Sequence, residues 1–144
     1  MTQLFRSLIF VPGNNPRFLE KAKKIQADVV CFDLEDSVPD DEKSNARKLI
    51  KTALKSRLEY ESSIFFRTNS PLSGKIPSDL KEIIQKGIDG IVIPKVNNVT
   101  ELKKITSNVS WKDFDAYEKL KNRLKEERRL LKILEKQSAE KLSE

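Results

Sequence analysis

The chain has 144 residues, 38% apolar and 35% charged, with a formal net charge of +6 and no histidine. That balance suits one domain of ordinary size with room for an appendage. It excludes Ser-His and Cys-His nucleophilic mechanisms and His-ligated zinc, leaving carboxylates, Lys, Arg and hydroxyls for chemistry. Cys31, the only cysteine, falls in a predicted core strand and reads as a buried structural thiol. No apolar run approaches the ~20 residues of a membrane span. The first residues lack the basic, apolar and small-residue succession of a signal peptide, so a cytoplasmic location is expected.

Positive charge is spread over both halves. Residues 1–106 carry 18 basic and 14 acidic side chains, and residues 107–144 carry 10 and 8. Interspersed charges of this kind favour solubility and acidic ligands and argue only weakly for nucleic acid, which is the least favoured partner.

In chain order, Ser7 to Val11 is an apolar run ended by Pro12-Gly13, the first strand and its turn. Asn15 is a good N-cap and Pro16 a good first helical residue, with Phe18, Ala22 and Ile25 on one face. The second strand, Val29 to Phe32, is apolar throughout, which suits a parallel strand covered on both faces. It ends in three carboxylates, Asp33, Glu35 and Asp36, before the Ser37-Val38-Pro39 breaker. Pro39 and Asp40 open a helix whose Ala46, Leu49, Ile50, Ala53 and Leu54 form the strongest helical pattern in the chain. Ser63 to Arg67 is the third strand, with Arg67 and Asn69 at its tip. A loop rich in Pro and Gly leads to Ser78, read as the cap of a helix bearing Leu80, Ile83 and Ile84 and closed by Gly87. Gly90 to Ile93 is the fourth strand, followed by Lys95 and Asn97 and by a short helix with Val99, Leu102 and Ile105 on one face.

Strand and helix thus alternate four times, a rhythm that means parallel strands with crossover helices. Gly13/Asn14, Glu35/Asp36, Arg67/Asn69 and Lys95/Asn97 all fall just past a strand's C-terminal end, the rim where α/β barrels build active sites. From Ser107 the character changes. Trp111, Phe114, Tyr117, Leu120, Leu124, Leu131 and Leu134 recur at helical spacing without Gly or Pro. That predicts a coiled-coil-like tail over residues 107–144, for oligomerisation or partner binding, or simply for packing. The expected organisation is a domain over residues 1–106 followed by this tail.

Three acids at one tip suit oxygen ligation of a hard cation such as magnesium, or a solvated strand end. Arg67 offers a planar fork for a ligand carboxylate, or a salt bridge to the neighbouring acids. The turn around Gly13 opens a helix whose N–H groups suit a phosphate, although the glycine-rich nucleotide patterns are absent. Lys95 suits a phosphate or carboxyl group, or plain solvent.

Arg6-Ser-Leu-Ile-Phe-Val-Pro-Gly-Asn-Asn-Pro-Arg-Phe-Leu-Glu-Lys-Ala22, Phe32-Asp-Leu-Glu-Asp-Ser-Val-Pro39, Phe66-Arg-Thr-Asn69 and Asp89-Gly-Ile-Val-Ile-Pro-Lys-Val96 occur in order. Across about residues 5–104 they resemble the citrate lyase beta type of the HpcH/HpaI aldolase superfamily. The resemblance implies α/β architecture, here four β/α units of a TIM-type (β/α)8 barrel. It also implies magnesium-assisted carbon–carbon lyase chemistry on acyl-CoA thioesters such as citryl-CoA or malyl-CoA. By resemblance the catalytic residues are Arg67, Glu35 and Asp36. Arg67, Gly13, Arg17 and Lys95 would bind substrate, and Asp33, Glu35 and Asp36 would line the metal pocket. The family's two principal metal ligands, on its fifth and sixth strands, have no counterpart in these motifs. The chain therefore reads as truncated, acting within an oligomer or with a partner chain, or as a non-catalytic half-barrel assembly module.

Overall fold

The computed structural model describes residues 4–85 and 87–107, together with Glu126, Arg129, Leu130, Lys132, Ile133, Glu135 and Lys136, which are helical and exposed. Two compact units divide the chain, Met1–Ser110 and Trp111–Glu144. The tail's apolar stripe lies outside the described residues.

The first unit is α/β. Strand β1 (Leu8–Pro12) is followed by helix α1 (Pro16–Lys21), β2 (Val29–Asp33), α2 (Lys43–Ala53), β3 (Ser63–Arg67), α3 (Ile76–Ile83), β4 (Gly90–Val92) and α4 (Val99–Thr106). The strands lie in the order β1-β2-β3-β4. Every neighbouring pair is parallel, as the intervening helices require. Successive strand residues point to opposite faces. Val30, Phe32, Ile64 and Phe66 share one face, and the ring of Phe32 meets Tyr60 edge-on at 5.8 Å. The Tyr60 hydroxyl donates to the carbonyl of Leu19 in α1 at 3.0 Å, tying that face to the helical layer. Leu19, Ala22, Ala46, Ile50, Leu54, Leu80 and Ile83 are the helices' and adjoining turns' buried contribution to this core. Cys31, Asp33, Phe65 and Arg67 lie on the other face. Cys31 is fully buried and burial pushes its thiol up to about 12, so it stays a neutral core residue.

Several boundaries differ from expectation for local reasons. Asn15 caps α1 by accepting from the N–H groups of Arg17 and Phe18. The α-helical turn gives way at Ala22 to a 3-10 turn, so the α period does not run through to Ile25. Leu19 faces the core at 3% exposure and Phe18 is 45% exposed. α3 starts at Ile76 rather than after Ser78, because Pro77 sits in the first turn, where its missing N–H costs nothing. Val99 and Leu102 on α4 are exposed, not buried. No described helix is long and apolar enough to cross a membrane.

The candidate functional site

The parallel register sets Pro12, Asp33, Arg67 and Val92 level with one another at the strands' C-terminal ends. Asp33 and Arg67 therefore face one another across β2 and β3. Arg67 Nε donates to Asp33 Oδ1 at 2.7 Å and Nη2 to Oδ2 at 2.8 Å, a bidentate pair in which Asp33 is fully buried. Asp33 Oδ1 also accepts from the N–H of Glu35 at 2.9 Å. Its Oδ2 accepts from Ser37 Oγ at 2.5 Å and from the Ser37 N–H at 3.0 Å. Burial alone would raise the Asp33 carboxyl, but these donors, Arg67 foremost, outweigh it and hold the group well below the usual carboxylate range. The same pairing raises Arg67 further above its ordinary value. The guanidinium carbon stands 4.5 Å from the centroid of the Phe10 ring, which covers one of its faces.

Arg67 Nη1 faces Glu35 Oε2 at 3.5 Å and Asp36 Oδ2 at 3.6 Å. Those distances leave charge attraction without strong hydrogen bonds. From β4's end Lys95 brings Nζ to 2.8 Å from Glu35 Oε1 and 3.7 Å from Asp36 Oδ1. Contact with Glu35, then the charge of Asp36, raises the Lys95 ammonium above its ordinary value. Glu35 is 8% exposed, yet neither of its oxygens accepts an aligned hydrogen bond; charge holds it in place. Lys95 has φ 55°, the only positive value at a non-glycine residue among the described residues. Such a backbone costs energy and persists where its surroundings enforce it.

Asp33, Glu35, Asp36, Arg67 and Lys95 are thus brought together, while the remaining rim residues are engaged elsewhere. Asn69 is buried and gives both its N–H and its Nδ2 to Asp79 Oδ2, at 2.8 and 2.9 Å. Asn14 donates to the Glu42 carboxylate, and the Asn97 N–H caps onto Glu101. Gly13 is buried, its N–H 2.9 Å from the Asp33 carbonyl oxygen. A Cβ there would fall 2.7 Å from that oxygen and 2.6 Å from Ile50 Cδ1, so the close approach itself requires glycine. The Arg17 side chain is exposed and makes no ion pair among the described residues.

Ser37, Lys43, Asp79 and Phe10 also support the site, although no sequence pattern marks them for it. Lys43, 7% exposed, donates to the carbonyls of Leu34 and Glu35 at 2.8 and 2.9 Å and fixes the acidic turn from below. Its signal was faint: a lysine opening an amphipathic helix looks like solvated surface.

Among the described residues no three acids or thiols are grouped to hold a metal ion. Asp33, expected in a metal pocket, has both oxygens committed to Arg67 and to the acidic turn. Glu35 and Asp36 keep lone pairs, but Arg67 and Lys95 oppose them. These residues alone do not fit a closed divalent-cation site.

The sequence matches the HpcH/HpaI aldolase/citrate lyase family model over residues 6–131. The chain belongs to that family. Its parallel sheet with crossover helices is consistent with the family's TIM-type fold. The family match runs past the last recognisable motif into the segment expected to be a separate tail. The chain is 37% identical to (3S)-malyl-CoA thioesterase of Cereibacter sphaeroides over 105 residues, covering 73% of this chain and 37% of the relative. It is 37% identical to citrate lyase subunit beta of Leuconostoc mesenteroides subsp. cremoris over 109 residues, covering 75% and 36%. Against citrate lyase subunit beta of Escherichia coli it is 32% identical over 108 residues, again covering 75% and 36%. The family member described here therefore spans little more than a third of these relatives' length.

Proposed function

We propose that this family member handles CoA thioesters of hydroxy dicarboxylates or tricarboxylates, of the malyl-CoA or citryl-CoA type, by carbon–carbon cleavage or thioester hydrolysis. The observation that carries the reading is Arg67. Asp33 fixes one edge of its guanidinium, leaving the N–H groups of Nη1 and one of Nη2 without close hydrogen bonds. A planar fork held still suits the carboxylate or carbonyl oxygens of such a ligand better than a mobile lysine would. Cleavage leaves an enolate, and Arg67, with Lys95 as a second cation, would stabilise the charge growing on its oxygen. Glu35 and Asp36, which face Arg67 Nη1 at 3.5 and 3.6 Å, would be the carboxylates to accept the ligand's hydroxyl proton. Gly13 and Arg17 are assigned to the rim that meets the CoA portion, on the resemblance alone.

Magnesium is likewise carried over from the resemblance. No step is assigned through it, because Glu35 and Asp36 do not complete a site.

A second reading, as an assembly module, draws on edge strand β1, where Leu8, Ile9 and Phe10 are 45%, 41% and 46% exposed. Parallel strands are ordinarily covered on both faces, so this edge invites a partner chain or a second copy. Under this reading residues 107–144 would join the assembly as a helical tail. Light scattering of the full chain tests it: a monomer across the accessible concentration range would end it.

The enzymatic reading is tested by incubating the full chain with malyl-CoA and following free CoA thiol and acetyl-CoA separately. Turnover lost in Arg67→Lys supports it. No product of either kind at any protein concentration would refute it.

A further inference from the structure

We infer that Ser37 is a positioning residue that acts through Asp33 on Arg67, resting on the reading in which Arg67 receives a ligand carboxylate. Asp33 Oδ1 takes Arg67 Nε and the Glu35 N–H, while Oδ2 takes Arg67 Nη2 and both donors of Ser37. A carboxylate offers about four lone-pair sites. Those of Asp33 are therefore saturated, and the plane of its carboxyl is set by donors on each oxygen. The Ser37 hydroxyl makes the shortest of these contacts, at 2.5 Å, and is a charge-assisted donor to an ionised group.

The hydroxyl is not needed to shape the turn. Val38 N–H bonds the Glu35 carbonyl at 3.3 Å, and Lys43 bonds the carbonyls of Leu34 and Glu35. The Ser37 N–H reaches Asp33 independently of its side chain. What the hydroxyl adds is a fixed tilt of the Asp33 carboxyl, and the guanidinium gripping it takes the same tilt. Phe10 closes one face of that guanidinium, so a rotation of Asp33 would swing its free N–H edge toward or away from the ligand position. Misplacement by about 1 Å is enough to weaken an oriented contact severely.

The test uses the full chain, its Ser37→Ala and Ser37→Thr variants, and Arg67→Lys to assign the Arg67 Nε–H signal in a nitrogen–proton correlation spectrum. Malate, a small dicarboxylate, is titrated calorimetrically as the probe. Ser37→Ala should keep a cooperative thermal transition, broaden or shift the Arg67 Nε–H signal, and weaken malate binding about 3- to 10-fold. Ser37→Thr should restore both. An Arg67 signal unchanged in Ser37→Ala overturns the inference, as does a changed signal beside unchanged malate affinity. Failure of the underlying reading is visible separately, since wild type would then not bind malate or Arg67→Lys would bind it equally well.

Discussion

Arg67 grips Asp33 along a single edge across two adjacent parallel strands, Nε to Oδ1 at 2.7 Å and Nη2 to Oδ2 at 2.8 Å. Removing one member of a buried pair leaves the other charge uncompensated. Arg67→Ala should therefore lower stability by about 3 kcal/mol. Arg67→Lys keeps the charge, loses the fork and should fall between that variant and wild type. Urea denaturation of both variants checks this. Equal losses would show that the bidentate geometry contributes nothing.

The same pairing gives stability an acid limb. The folded Asp33 carboxyl is held below its unfolded value, so its contribution is complete above about pH 4 and is lost as pH falls through the lower, folded value. Asp33→Asn should be less stable than wild type at neutral pH and should lose less stability between about pH 4 and 2. Thermal melts across that range provide the check. Parallel pH profiles for the two proteins would contradict the assignment.

Much of this arrangement was legible in the sequence, and what was missed has physical causes. Apolar runs ended by Pro, Gly or charge located the strands, and Asn15-Pro16 marked a helix start that the structure reproduces. Glu35, Asp36, Arg67 and Lys95 were placed on one rim because each lies at or just past a strand's C-terminal end, and they do converge. That Asp33 rather than Glu35 is the main partner of Arg67 depends on strand register, which a separation of 34 residues in sequence does not encode. Asn69 follows its strand as closely as Glu35 does, yet it turns inward to Asp79, whose burial depends on how α2 and α3 meet.

Asp79 joins that turn to α2 and is fully buried between Asn69 and Arg47, with Arg47 Nη1 at 3.0 Å. Asp79→Ala leaves the half-buried Arg47 guanidinium with only Glu82 at 3.9 Å and frees two donors on buried Asn69, so a loss of about 2–3 kcal/mol is expected by denaturant titration. A loss under about 0.5 kcal/mol, typical of surface changes, would show the network to be dispensable.

Gly13→Ala should cost about 1–3 kcal/mol, because the added methyl meets the Asp33 carbonyl oxygen and Ile50. Ile50→Val in the same chain should recover part of that loss, since shortening the side chain opens space on one side of the clash. Denaturation of the single and double variants measures the coupling directly, and strict additivity would contradict it.

Magnesium alone should bind no tighter than about 1 mM, since two carboxylates facing Arg67 and Lys95 make a poor cage. Lys95→Met removes one competing cation and should tighten binding. Calorimetry decides, and sub-millimolar affinity in wild type without another ligand would show that the acidic turn forms a cation site despite Arg67 and Lys95.

Whether the Arg67 fork receives the ligand is decided by a calorimetric titration of malyl-CoA into the full chain and into Arg67→Lys. Saturable binding by wild type is expected, with a loss of at least about tenfold in affinity when the fork is replaced by a point charge. Undiminished binding by Arg67→Lys, or none by wild type, would contradict that role.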